Sequence, residues 1–129
     1  MSEYEKAMSD CVGRTVRAVE GMHRGSEETR VYFEDGSRLT LWHKQDCCES
    51  VKIEDVCGEP DILVGHVLSL CEAVSSEGEP APNRDWLDSY TWTFYKLAGP
   101  GGSVTLRWLG ESNGYYSESV AVRLDERGD

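Results

Sequence analysis

The sequence predicts a mainly β fold in a single domain spanning residues 1–129: about seven or eight mostly antiparallel strands in a small barrel or two-layer sandwich. One short N-terminal helix is expected beside them. Three observations carry this expectation. Apolar residues alternate with polar ones at period two over short runs. Turn signals recur between those runs, among them Asp35-Gly36, Pro100-Gly101 and Asn113-Gly114. A chain of 129 residues is long enough for one core without covalent staples.

Residues 2–11, SEYEKAMSDC, set Tyr4, Met8 and Cys11 roughly on one stripe of a helix. Beyond Gly13 come TVRAV (15–19), TRVYFE (29–34) and SRLTLWH (37–43) as strands. A two-residue Asp35-Gly36 loop would place Phe33 opposite Arg38 and mix the core and solvent faces. A three-residue loop with a bulge places leucines opposite Val31 and Phe33, so the bulged form is predicted. His43 then shares parity with Leu39 and Leu41 and emerges at the end of the core-facing row, while Trp42 points the other way.

SVKIEDV (50–56) reads as a strand with Val51 and Ile53 inward. DILVGHVLSLCEAV (61–74) starts as a turn and continues as a long strand, apolar on both faces, which predicts a central position or a contact on each side. SSEGEPAPNRD (75–85) is an exposed loop. SYTWTFYKLAG (89–99) and GSVTLRWLG (102–110) are strands joined by Pro100-Gly101. SESVAVRL (117–124) is the final strand and residues 125–129 are a tail. A three-residue loop of Ser112, Asn113 and Gly114 would set Leu106 opposite Val120 and Val104 opposite Val122.

The net charge is −11, from 13 Lys+Arg against 24 Asp+Glu. Nucleic-acid affinity comes mostly from neutralising phosphates, so no direct nucleic-acid binding is expected. The charge still allows a small anion in a local basic pocket, a basic protein partner, or imitation of nucleic acid. No apolar run approaches the roughly 18 residues that a membrane span needs, so no membrane association is expected. The five cysteines follow a polar N-terminus and read as reduced thiols of a cytoplasmic protein.

HKQDCCES (43–50) concentrates chemistry-bearing residues. His43 with Cys47 and Cys48 offers metal-ligand types, and His-x3-Cys is a workable chelate, but adjacent cysteines suit one tetrahedral ion poorly. Cys47 or Cys48 beside His43 could form a thiolate pair, although Asp46 and Glu49 would raise the thiol pKa. A vicinal disulfide is the remaining thiol chemistry. Glu54 and Asp55 are adjacent in a strand and point to opposite faces, so a joint acid–base role on one substrate is not expected. Asp46 or Glu49 could work with His43, or could instead cap the amides of their own loop. The bland reading of the cysteines is small buried thiols. Serine-hydrolase, phosphate-loop and dinucleotide fingerprints are absent, and the glycine-rich GPGG at 99–102 leads into a strand, so it is a turn.

Trp42, Trp92, Trp108, Tyr115 and Tyr116 would suit a ring-binding pocket, with Arg107 for an anion. Strand aromatics also fill cores. Tyr115 and Tyr116 follow a turn directly and cannot both be buried on one face.

The segments LWHKQDCCESVKIEDVCGEPDILVG and SYTWTFYKLAGPGGSVTLRWLGESNGYYSESV resemble an uncharacterised family of small bacteriophage and prophage proteins, a domain of unknown function. The likeness covers roughly residues 38–122. It is carried by His43, Gln45, Asp46, Cys47, Cys48, Glu49, Ile53, Glu54 and Asp55, and by Glu111, Ser112, Asn113, Gly114, Tyr115 and Tyr116. Cys57, Pro60 and the 75–85 loop depart from the pattern, which weakens a four-ligand zinc site relying on Cys57. The family implies no activity. It implies a phage accessory protein in the cytoplasm of an infected bacterium, with counter-defence by analogy alone.

The expected function is a non-enzymatic binding module without a cofactor. A small, nucleotide-like ligand or a host protein would meet His43, Asp46, Glu49, Arg107, Glu111, Asn113, Tyr115 and Tyr116. The alternatives are a zinc or thiol enzyme centred on His43, Asp46, Cys47 and Cys48, and an acidic decoy for a basic host protein. An edge strand, or the 66–74 segment, leaves a homodimer open.

Overall fold

The computed structural model describes residues 3–74, 89–113 and 116–126. The expected 75–85 loop therefore lies outside the described residues, as do Gly114, Tyr115 and 127–129. Eight antiparallel strands form two four-stranded sheets that face each other without closing into a barrel. The first sheet has the order β1 (Val16–Glu20), β2 (Glu28–Phe33), β3 (Arg38–Trp42), β8 (Ala121–Asp125). The second has the order β4 (Ser50–Cys57), β7 (Gly102–Ser112), β6 (Ser89–Gly99), β5 (Leu70–Val74). Between them lie Val31, Phe33, Leu39 and Leu41 from one sheet and Ile53, Leu97, Leu106 and Trp108 from the other, all fully buried. Period-two alternation is the cause: each strand gives one face to the core and the other to solvent.

The helix α1 (Glu3–Ser9) is shorter than the predicted 2–11 segment. Met8 and Cys11 are buried as expected, whereas Tyr4 is exposed. The helix contacts both β5 and β8, the edge strands on one side of the sandwich. On the opposite side the loop before β2 bonds to β4, through Gly25 N–H to Ile53 O and Ile53 N–H to Ser26 O. The turn region after Pro60–Leu63 bonds to β1, through Val16 N–H to His66 O and Gly65 N–H to Val16 O. These contacts occupy edges that would otherwise present unpaired backbone groups.

Four details differ from the sequence expectation. The β2–β3 loop has three residues, Glu34, Asp35 and Gly36, but the register is displaced by two. Val31 faces Leu39 and Thr29 faces Leu41, while Phe33 N–H bonds to Ser37 O. Gly36 at φ 90° takes the left-handed position at the end of the loop, and Asp35 Oδ1 accepts from Ser37 N–H at 2.8 Å. The faces are preserved because a two-residue displacement keeps parity. Second, the 61–74 segment is not a long central strand. Only Leu70–Val74 is strand, and it forms an edge beneath α1, which explains how an apolar stretch can be covered without a central position.

Third, the predicted hairpin between 102–110 and 117–124 does not form. Both sides of β7 are taken, by β4 and β6. Residues 116–120 instead lead into the first sheet, where Val122 faces Leu41 and Ala121 faces Trp42. Fourth, the tail begins later than residue 125. Asp125 belongs to β8 and binds Arg38, and Glu126 holds Arg14 through two bonds of 2.9 and 3.0 Å.

The crossing chain passes directly over Gly110, where an added Cβ would lie 2.5 Å from Glu118 O and 2.7 Å from Glu118 Cβ. Gly110→Ala should therefore destabilise the protein by about 1–3 kcal/mol, as overpacking does. Urea unfolding of the variant against wild type measures it, and an unchanged midpoint would contradict this packing.

Candidate functional site

The two connections that join the sheets lie at one end of the sandwich. Residue 43 leaves β3 beside the start of β8, because Trp42 pairs with Ala121. Residue 49 enters β4 beside the end of β7, because Ser50 pairs with Glu111. The outgoing loop 43–49 and the returning segment 116–120 are thus neighbours by topology, as the sequence reading required of any shared site.

His43 sits at the end of the core-facing row, its side chain only 3% exposed. Its Nδ1 lies 2.7 Å from Ser119 O on the returning segment. Its Nε2 lies 2.7 Å from Glu49 Oε2 on the outgoing loop. Each ring nitrogen thus faces a protein oxygen at hydrogen-bond distance. Glu49 is equally enclosed. Its Oε2 also accepts from Asp46 N–H at 3.0 Å. Its Oε1 accepts from Cys47 N–H at 2.8 Å and from Gln45 Nε2 at 3.1 Å. Gln45 Nε2 further donates to Glu49 O at 2.7 Å, pinning the loop back on itself. Burial alone would push the Glu49 carboxyl upward. The hydrogen bonds from His43 and from the amides of Cys47, Glu49 and Asp46 outweigh it and hold the carboxyl down at about 2, against an ordinary 4.5.

The returning segment has its own carboxylate anchor. Glu118 accepts from Thr91 Oγ1 at 2.7 Å and from Ser112 Oγ at 2.5 Å. Burial works to raise its pKa, but the hydroxyl hydrogen bonds from Ser112, Ser89 and Thr91 prevail and lower it. Sequence reasoning passed over Glu118 and Ser119. Nothing local marks them, since their importance comes from where the crossover passes.

Beside the His43–Glu49 pair is a cavity of about 550 Å³. Glu27, Glu28, Trp42, Gln45, Ser50 and Val51 line it with that pair. The predicted site residues distribute as follows. His43 and Glu49 line this cavity, and Asp46 contributes its backbone amide from an exposed position. Glu111 is buried beside Ser50, Asn113 is exposed and Tyr116 is half-buried. Tyr115 lies outside the described residues. Arg107 is not at this end. Its outward parity on β7 places its Nη1 2.8 Å from Asp55 Oδ2, and its guanidinium sits over Trp92 and Phe94, 5.2 and 5.1 Å from their ring centroids. Trp108 is core.

The cysteines correct a second expectation. The structure joins Cys47 to Cys48 as a vicinal disulfide on the exposed part of the loop, where buried thiols were expected. The loop turns around Glu49 and keeps both sulfurs outside. Cys11 and Cys71 are the buried thiols, and Cys71 is pushed up by its hydrogen bond with Cys11 and then by burial. With both His43 nitrogens committed, the His43, Cys47, Cys48 set has no free imidazole for a metal. Among the described residues no group of three or more ligand side chains is placed to hold one.

A family model matches residues 9–122. The chain belongs to the DUF7448 family, a domain of unknown function. The match includes both crossovers and all eight candidate positions from His43 to Tyr116. No curated protein and no solved structure matches the chain. No helix among the described residues is long and apolar enough to cross a membrane.

A depressed carboxylate stabilises the fold most at a pH above the pKa it has when unfolded, and that stabilisation fades as pH falls toward its folded value. For Glu49 the window runs from 4.5 down to about 2. Glu49→Gln should unfold at a lower temperature than wild type at neutral pH, and the gap should narrow across that window. Thermal melts at stepped pH give the comparison; a gap independent of pH would mean that the His43–Glu49 pair is not what the substitution removes.

Proposed function

We propose that this DUF7448 domain is a non-enzymatic binding module whose end cavity takes a small, flat, N–H-bearing molecule of the nucleobase type. The observation that carries the reading is the state of the His43–Glu49 pair beside the cavity. A general base needs a free lone pair aimed at substrate, and here each ring nitrogen already faces a protein oxygen. Such a pair makes a rigid wall. The cavity volume of about 550 Å³ falls in the range of small-molecule sites, about 300–1,000 Å³. Trp42 offers a ring surface, and the carboxylate of Glu27 and the amide of Gln45 offer acceptors to N–H groups.

The resemblance to phage and prophage proteins supports an accessory role in the cytoplasm of an infected cell. Sequestering a nucleotide-like signal would be one form of counter-defence.

The test is a thermal-shift and NMR titration of the full chain against free nucleobases, nucleosides and aromatic amines. At least one should bind saturably, and binding should weaken about tenfold in Gln45→Ala and more in Glu27→Lys. If no compound binds wild type, the cavity has no ligand of this class.

A second reading rests on the net charge of −11. A basic host protein would be drawn to the acidic surface, with an association rate that falls steeply with added salt. A captured partner whose affinity is unaltered between low and high salt would exclude it.

A further inference from the structure

We propose that the outer face of the first sheet carries a second site, adjoining the end cavity at Glu28 and Trp42, one that binds the phosphoryl oxyanion of a small molecule. The register assembles it. Thr40 on β3 stands between Arg30 on β2 and Arg123 on β8, one on each side. Arg38 and Trp42 flank Thr40 along its own strand, two residues away on the same face. Together with Glu28 these residues surround a depression of about 230 Å³.

Two polar atoms here lack the partners that the rest of the face has. Thr40 is 6% exposed, and its Oγ1 has no hydrogen-bond partner among the described residues. Arg38 Nε is likewise buried and unpaired. Buried polar groups are normally satisfied, so such a pair lining a depression points to a missing acceptor. The local carboxylates are already committed. Asp125 binds Arg38 Nη2 at 3.3 Å and Arg123 Nε at 3.1 Å, and Glu28 pairs with Arg30. Each guanidinium carries five N–H donors, so donors remain after those bonds. One hydroxyl set among three planar forks matches a tetrahedral oxyanion with several acceptor oxygens. The depression is smaller than a drug-sized pocket and suits a single phosphate group.

This site does not depend on the end-cavity reading, and different probes test it. The full chain is titrated calorimetrically with inorganic phosphate, with glycerol 3-phosphate and with glycerol. Saturable binding is expected with a phosphate-bearing probe and not with glycerol. Equal affinity for both phosphates assigns the free ion as ligand; preference for the ester assigns an organic phosphate. Thr40→Val should weaken binding about tenfold, and the double variant Arg30→Gln, Arg123→Gln should abolish it. Arg24→Gln, an exposed arginine elsewhere, should bind as wild type does. Circular dichroism establishes that each variant is folded. The proposal is overturned if neither phosphate binds saturably, or if folded Thr40→Val binds as tightly as wild type.

Discussion

One carboxylate holds the open end of the sandwich together. Glu49 receives the imidazole of His43, the amides of Asp46 and Cys47 and the side-chain amide of Gln45. Through His43 it reaches Ser119, so the outgoing and returning crossovers are bound to each other as well as to β3. A buried carboxylate is expensive to desolvate, and that cost is offset only when the surrounding hydrogen bonds are complete. Here they are complete. The pair therefore specifies one conformation for two loops that have little apolar surface of their own, and the cavity wall inherits that rigidity.

The same completeness bears on chemistry. A catalytic histidine exchanges protons during turnover, so one nitrogen must be free or lightly held. Both ring nitrogens of His43 are instead engaged in a buried setting, one by Ser119 O and one by Glu49. The adjacent sulfurs, exposed and joined to each other, stand apart from the ring that would have activated them. Such an interior is consistent with the proposal of a module that holds a ligand.

Much of the fold was legible because strand alternation is a local signal. The boundaries of β2, β3, β4, β6 and β7 follow from where apolar residues repeat, and the inward parity of His43 follows from Leu39 and Leu41. What failed was pairing at a distance. Asn113-Gly114 is a hairpin signal, but a strand has only two edges, and β4 and β6 had taken both of those of β7. That competition is invisible along the chain. The candidate site was half legible for the same reason: His43 and Glu49 are close in sequence, whereas Ser119 and Glu118 join them only through the crossover. Arg107 was misplaced because its aromatic neighbours Trp92 and Phe94 lie across a strand boundary on the outer face. The row Arg30–Thr40–Arg123 could not be read at all while β8 was assigned to the wrong sheet.

Charge distribution makes the first sheet unlike the molecule as a whole. With 24 acidic against 13 basic residues, the average surface repels anions. Yet three arginines share the small outward patch around Thr40, and the carboxylates beside them are tied down in ion pairs. These two fields act over different ranges. At about 0.1 M salt the screening length is about 10 Å, so the diffuse negative field is cut off before it meets an approaching ion. Contacts at hydrogen-bond distance, inside a depression with restricted solvent, are screened far less. Moderate salt thus weakens the repulsion of the whole before it weakens the attraction of the patch. An acidic protein can thus still hold one small anion where a few cations share a face, as the pairing of β2, β3 and β8 places Arg30, Arg38 and Arg123 together here.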